Sequence, residues 1–370
     1  MECRGIDDQL VRHDPKIQSL MKEFVGVRVV QFNGTDLARF QFDYDQTFAM
    51  FFMNADGTIY GRFGTRSDMK KADREISIDG LGKTLAAALE LHKGYPANQS
   101  AFVAKTGPAP RFSRPEQYPS LKGRYQATLD AAKPVQSCMH CHQPLEAERK
   151  MFRAAGQPIP EEILHTWPMP DVVGLSLDPK EKAKVRRVIP GSTAEKDGFK
   201  AGDEITSLGG QPIISIADVQ FVMQFAKTPA RLNAEVLRGG KKTPLMLTLD
   251  AGWRRVSDFG WRVSSWDLRR MATGGLKVDA LAGEALAKAG LGADKLALEI
   301  KHAGEYGEHA AAKNAGFRKG DIIVAIDGRT RRMTEAEWLA YLLTKPAGSK
   351  IPATVLRGGQ RVELQLPTQQ

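Results

Sequence analysis

The sequence predicts an α+β multidomain protein, and its length, its composition and an internal repeat support this prediction. At 370 residues the chain exceeds one ordinary domain, and 42% hydrophobic with 26% charged residues is typical of a globular fold. Its second half contains an internal repeat rich in short strands. No stretch approaches the ~20 consecutive apolar residues of a membrane-spanning helix. Three cysteines are too few for a disulfide-stapled scaffold.

The repeat is defined by two landmarks at nearly constant spacing. Residues 198–205, GFKAGDEI, recur as residues 316–323, GFRKGDII, and VLRGG at 236–240 recurs at 355–359. Each copy places a helix candidate between these landmarks. In the second copy Thr334 and Glu337 form the capping box that marks a helix start. The sequence therefore predicts two copies of one β-rich domain.

Both copies resemble bacterial PDZ domains, with boundaries at 172–250 and 286–368. The first copy matches in VIPGSTA at 188–194 and GFKAGD at 198–203. The resemblance implies binding of protein or peptide carboxyl termini, with the carboxylate held by backbone amides of a glycine-containing loop. In the first copy that loop corresponds to Gly174, Leu175, Ser176 and Leu177. In the second copy the candidate is the Gly-Leu-Gly run at 290–292, and a purely structural role is the alternative.

The net charge and a local run of basic residues indicate what kind of partner the chain would bind. The chain carries a net charge of +10, with a pI near 9.4. Lys180, Lys182, Lys184, Arg186 and Arg187 follow the candidate loop and favour an acidic partner, unless they form only a solvated face. No nucleic-acid motif accompanies this charge, so we expect no nucleic-acid partner.

The amino-terminal part, residues 1–105, reads as helix, strand, hairpin and helix. The strand is predicted at 25–32, the hairpin flanks the turn 54–57, and the last helix covers 78–92. This order resembles a thioredoxin fold lacking its first strand. The resemblance makes Cys3, at the start of the first helix, the candidate catalytic thiol. A terminal cysteine without a role is the alternative.

The segment 106–171 contains the motif Cys138-Met139-His140-Cys141-His142. C-x-x-C-H is typical of c-type haem attachment, in which Cys138 and Cys141 bind haem and His142 ligates the iron. Met169 and Met151 are the candidate sixth ligands, with His165 as the alternative. A redox dithiol, a metal clip that adds His140, and ordinary buried cysteines are the alternatives.

The full order places a Trp/Arg-rich connector, 251–285, between the two PDZ copies. It resembles a family of bacterial thioredoxin-like/PDZ (seleno)proteins. The resemblance and the haem motif imply a periplasmic or otherwise extracytoplasmic redox or electron-transfer adaptor that docks partners through PDZ domains. A non-catalytic PDZ scaffold without cofactor is the alternative. Neither G-x-S-x-G nor G-N-S-G-G occurs, so we predict no serine-protease centre, whereas thiol or selenol oxidoreductase activity is consistent with the resemblance.

The same resemblance raises an expectation about the gene. Cys3 stands where the second member of a C-x-x-C pair would stand, so its partner would precede Met1. A selenocysteine codon there would be read as a stop. We therefore expect an in-frame TGA upstream, with a signal peptide and a strand encoded before it. A gene start misassigned for unrelated reasons, or a domain that really is reduced, is the alternative.

Overall fold

A computed structural model describes residues 15–46, 48–65 and 76–370. These residues form two compact units. The first joins the amino-terminal part, up to Cys141, to His165–Ser257. The second joins His142–Leu164 to Asp258–Gln370. Cys3 lies outside the described residues.

The helices and strands of both units follow in chain order. The α-helices are α1 (Pro15–Met21), α2 (Ile78–Lys93), α3 (Pro134–Ser137), α4 (Gln143–Ala154), α5 (Glu161–Leu164), α6 (Thr193–Lys196), α7 (Ile216–Phe225), α8 (Ser265–Thr273), α9 (Gly283–Lys288), α10 (Ala311–Asn314) and α11 (Glu335–Leu343). The strands are β1 (Met50–Met53), β2 (Ile59–Phe63), β3 (Leu175–Leu177), β4 (Val185–Val188), β5 (Glu204–Leu208), β6 (Gln211–Pro212), β7 (Ala230–Arg238), β8 (Lys241–Leu249), β9 (Leu276–Ala280), β10 (Leu298–Ala303), β11 (Ile322–Ile326), β12 (Lys350–Arg357) and β13 (Gln360–Pro367). Short 3₁₀ helices cover Gln99–Lys105, Pro115–Gln117, Pro170–Val173, Trp253–Val256 and Gly307–Ala310.

The amino-terminal part contains the predicted hairpin and last helix. β1 pairs antiparallel with β2, and α2 packs on them through the buried Leu81 and Leu85. The strand predicted at 25–32 is wrong. That segment is irregular, and Val25 and Val27 are exposed at 94% and 82%. Because β1 and β2 form a two-stranded sheet, the described residues show a hairpin and a helix, and no thioredoxin-like sheet.

The first PDZ copy has a four-stranded sheet, β6-β5-β7-β8, and the separate pair β3-β4. Arg238 fixes the turn before β5, since its guanidinium donates to both carboxylate oxygens of Asp203 at 2.7 and 2.8 Å and to Gly198 O at 2.8 Å. A charged bidentate pair of this kind is among the stronger side-chain contacts.

The second PDZ copy reproduces that arrangement. Arg357 donates to both carboxylate oxygens of Asp321 at 2.8 and 2.7 Å and to Gly316 O at 2.7 Å. The repeated sequence GFxxGD…VLR therefore encodes one repeated hydrogen-bond network. The prediction of two copies of one domain is confirmed.

The second copy begins earlier than the boundary at residue 286. Its sheet has the order β13-β12-β11-β10-β9, and β9 pairs with β10 so that Leu276 lies opposite Ala303. β9 falls within 251–285, which the sequence analysis had assigned to a connector. The difference arises because seventeen residues, 281–297, separate β9 from β10 and contain α9, whereas the equivalent turn in the first copy is short.

The segment 106–171 is divided between the two units and has no core of its own. Before the division, Met139 is buried and its N–H donates to Asn33 Oδ1 at 2.8 Å. After it, Arg149 of α4 donates to Ser264 Oγ at 2.7 Å, and Arg153 donates to Leu343 O at 3.2 Å, where α11 ends. α4 therefore belongs to the second PDZ copy in this fold.

Candidate peptide-binding site

The candidate carboxylate loop of the first PDZ copy turns at Gly174. The 3₁₀ helix before it ends there with φ +92°, a conformation that favours glycine. A Cβ on Gly174 would collide with the side chain of Ser192. The carbonyl of Gly174 accepts from Ile189 N–H at 2.9 Å. Only glycine therefore suits this turn into β3.

In a PDZ domain the ligand adds beside the strand that follows the carboxylate loop; here that strand is β3, and α7 packs on the same core. Among the described residues β3 pairs with β4 alone, so its other edge is available for an added strand. Leu175 and Leu177 are buried in the same core cluster as Ile216, Val219 and Met223 of α7. Ser215 caps α7 by accepting from Asp218 N–H at 3.1 Å. The predicted residues Gly174 to Leu177 thus line one side of a groove whose other side is α7.

The chain leading into the carboxylate loop is bound to α7. Gln224 Oε1 accepts from Trp167 N–H at 2.6 Å, and Gln220 Nε2 donates to Trp167 O at 2.7 Å. Gln220 Nε2 also lies 3.5 Å from Met169 Sδ, and Met169 packs on the core of the first PDZ copy. Met169, the predicted sixth haem ligand, therefore lies beside α7 of this domain, and its role as a ligand stays a prediction.

The loop of the second copy is at Gly275. Gly275 has φ +95°, and its carbonyl accepts from Gly304 N–H at 3.0 Å, as Gly174 accepts from Ile189. The Gly-Leu-Gly run at 290–292 lies between β9 and β10, and so the loop candidate of the second copy is wrong. The Gly-Gly pair at 274–275, directly before a Leu-x-Val strand, was the signal that the sequence analysis missed.

The groove of the second copy is closed by its own residues. Glu335, the first residue of α11, accepts from Val278 N–H of β9 at 3.0 Å. The same carboxylate pairs with Arg269 of α8, whose side chain is only 1% exposed. Apart from Trp266, the residues of α8 are buried, with Leu268 and Met271 in the core cluster that contains β9 and α11. A peptide strand would have to displace Glu335 from the edge of β9.

The first copy lacks this closure. Ser215 and Thr334 are the N-caps of α7 and α11, so Ile216 corresponds to Glu335. Isoleucine has no hydrogen-bonding side chain and leaves the edge of β3 to other partners. At this position the second copy therefore has a carboxylate that binds β9, and the first copy has an isoleucine.

A buried charge cluster joins the amino-terminal part to α7. Lys105 Nζ lies 2.9 Å from Asp218 Oδ1, and both side chains are fully buried. The Arg62 guanidinium lies 3.6 Å from the ring centre of Phe221 of α7, and its Nη2 donates to Lys105 O. Burial lowers the pKa of Lys105 to about 8, although attraction to Asp218 opposes that shift. Burial likewise lowers the pKa of Arg62 to about 10.

The motif Cys138–His142 crosses the division between the two units. Cys138 and Cys141 are half-buried and are not joined in a disulfide, and Cys141 Sγ lies 3.8 Å from Gln46 O. His142 Nδ1 lies 3.0 Å from Glu146 Oε1. The described residues contain no cluster of three or more His, Cys, Asp or Glu side chains suited to a metal ion. Haem attachment at Cys138 and Cys141, with His142 on the iron, stays a prediction.

Comparison with known proteins identifies the repeated domain. The model of the PDZ domain matches residues 184–238 and 306–357, so the chain contains PDZ domains, as the first step of the resemblance predicted. The thioredoxin-like part of that resemblance is not shown.

The relatives of the chain come from the bacterial periplasm. It is 31% identical over 189 residues to the periplasmic pH-dependent serine endoprotease DegQ of Escherichia coli, across 51% of this chain and 37% of that protein. It is 29% identical over 183 residues to a probable periplasmic serine endoprotease, DegP-like, of Marinomonas sp., across 50% of this chain and 36% of that protein. The matched region thus spans little more than a third of either relative. A solved structure of the HtrA-type protease AlgW with tripeptide is 28% identical over 26% of this chain and 30% of that chain, with a TM-score of 0.21.

These relatives correct the functional expectation. The predicted function as a redox or electron-transfer adaptor is wrong, because the relatives are serine endoproteases of the periplasm. In the described part of the chain, none of the helices has the length and apolar character needed to cross a membrane.

Proposed function

We propose that this chain serves periplasmic proteolysis by recognising protein carboxyl termini in its first PDZ domain. The observation that carries the proposal is the unpartnered edge of β3 beside the Gly174 turn, with Ile216 where the second copy has Glu335. A peptide adds to such an edge as a strand, and its carboxylate binds the amides of the turn. The DegQ and DegP-like relatives support the proteolytic setting.

Basic residues beside β3 favour a peptide that carries an acidic side chain. Ser176 lies opposite Arg187 in the β3-β4 pair, and Arg186 Nη2 donates to Ser176 Oγ at 3.2 Å. Both arginines are exposed. Side chains alternate along an added strand, so one acidic residue near Ser176 would lie within reach of Arg186. The finer proposal is therefore a carboxyl terminus with an acidic residue close to its end.

Fluorescence anisotropy on the whole chain tests the proposed function. The probe is a labelled apolar-ended peptide of about three residues, made with a free carboxylate and as the carboxyl amide. We expect the free acid to bind and the amide to bind at least about tenfold more weakly. Equal binding of the two would contradict carboxylate recognition. An Arg186→Gln variant should weaken binding of an acidic version and leave a neutral version unchanged.

A further inference from the structure

The amino-terminal part of the first unit contacts both the turn after β3 and the start of α7. Ser77 Oγ, at the cap of α2, donates to Pro179 O at 2.8 Å, and Lys83 of α2 pairs with Glu181. Pro179 and Glu181 lie in the turn just after β3. On the other side Thr84 Oγ1 lies 3.2 Å from Ile214 O, directly before the cap of α7. About two turns of α2, from its cap at Ser77 to Thr84, therefore connect the end of β3 to the start of α7.

The direction of a bound peptide makes this contact important. Its carboxylate would lie at Gly174, at the beginning of β3, so its preceding residues would run along β3 towards Leu177 and then past Pro179. The exit lies between Pro179 and Ile214, where α2 stands. β3 is three residues long. At about 3.3 Å per residue, the groove accommodates about three peptide residues before the chain reaches α2.

We propose that α2 limits the first PDZ groove to the last few residues of its ligand. The inference rests on the proposed function and defines its substrate class. The ligand is a short, unfolded carboxyl-terminal tail, and the chain before it turns away from the groove at about the fourth residue from the end. Ligands that continue as a straight strand are excluded while α2 is seated.

Gly80 permits the close seating of α2. It lies in the first turn of the helix, and a Cβ there would collide with Pro179 O, a backbone atom that cannot rotate away. Gly80 has a helical backbone, so alanine there favours the helix itself and opposes only its seating on the β3-β4 turn. Gly82, two residues along the same helix, offers a matched control, because its Cβ would meet only Ile17 Cγ2 at 3.3 Å.

The test compares free-acid peptides of about three and about ten residues that share the same end, the longer one continuing in an extended, proline-free sequence. We expect the unmodified chain and Gly82→Ala to bind the short peptide at least about tenfold more tightly than the long one. In Gly80→Ala the two peptides should bind equally. Lys83→Glu places a negative charge beside Glu181 and should also bring the affinities for the two peptides closer together. This second variant changes only a surface ion pair and leaves Gly80 in place.

Two results would overturn the inference while leaving the proposed function intact. The first is equal binding of the two peptides by the unmodified chain. The second is a long peptide that remains excluded in both Gly80→Ala and Lys83→Glu, with helical content preserved by circular dichroism. Failure of the short peptide to bind the unmodified chain would instead refute the proposed function itself.

Discussion

The stability of the first unit should rise with pH in the window set by Lys105. Burial lowers the pKa of Lys105 from its ordinary 10.5 to about 8 in the folded chain. Below that value both states hold the proton. Between about 8 and 10.5 the unfolded chain binds one proton more than the folded chain, so the free energy of unfolding increases with pH. A shift of this size corresponds to about 3 kcal/mol across the window.

Urea unfolding of the whole chain at a series of pH values, followed by tryptophan fluorescence to which Trp167 and Trp253 of the first unit contribute, measures this effect. Lys105→Met should remove the gain of about 3 kcal/mol. Asp218 keeps its bonds from the N–H groups of Arg62 and Ile214 in that variant. Lys93→Met, which removes an exposed lysine of α2, is the control. Parallel curves for Lys105→Met and the unmodified chain would refute the reasoning.

Three further predictions concern the two grooves and the cysteine motif. Gly174→Val should abolish peptide binding, because its Cβ collides with Ser192 at a turn of positive φ; retained binding by a folded variant would contradict this, and a thermal melt controls for folding. The double variant Arg269→Met/Glu335→Ile removes a buried ion pair without leaving either charge alone. Titration calorimetry should then show two bound peptides per chain, and an unchanged stoichiometry would count against closure by Glu335. Haem staining of a denaturing gel after export with cytochrome c maturation should show a band that Cys138→Ala/Cys141→Ala loses, and no band in the unmodified chain would remove the haem prediction.

The repeat and the first carboxylate loop were predictable because their sequence signals are local. A glycine is required at Gly174, and a repeated Gly-Asp before a strand marks the network that Arg238 and Arg357 complete. The second loop was missed because an insertion separates it from the conserved landmarks. The Gly-Leu-Gly run at 290–292, which lies nearer those landmarks, was taken instead of Gly275.

The amino-terminal part shows a different limit. Alternating valines at 25–32 predict a strand from periodicity, but a strand also needs a neighbour with which to exchange backbone hydrogen bonds. Closure of the second groove is equally hidden in the sequence. Glu335 looks like an ordinary acidic residue in the first turn of a helix, and only the fold brings it to Val278 and Arg269.

Hydrogen–deuterium exchange of the whole chain, with and without a short free-acid peptide, tests the central claim most directly. The account predicts slower exchange at the amides of 174–177 and an unchanged rate at 275–278, because the first groove takes the peptide and the second is closed by Glu335. The amidated peptide should change neither segment. Protection of 275–278, or of neither segment at saturating free acid, would contradict the account.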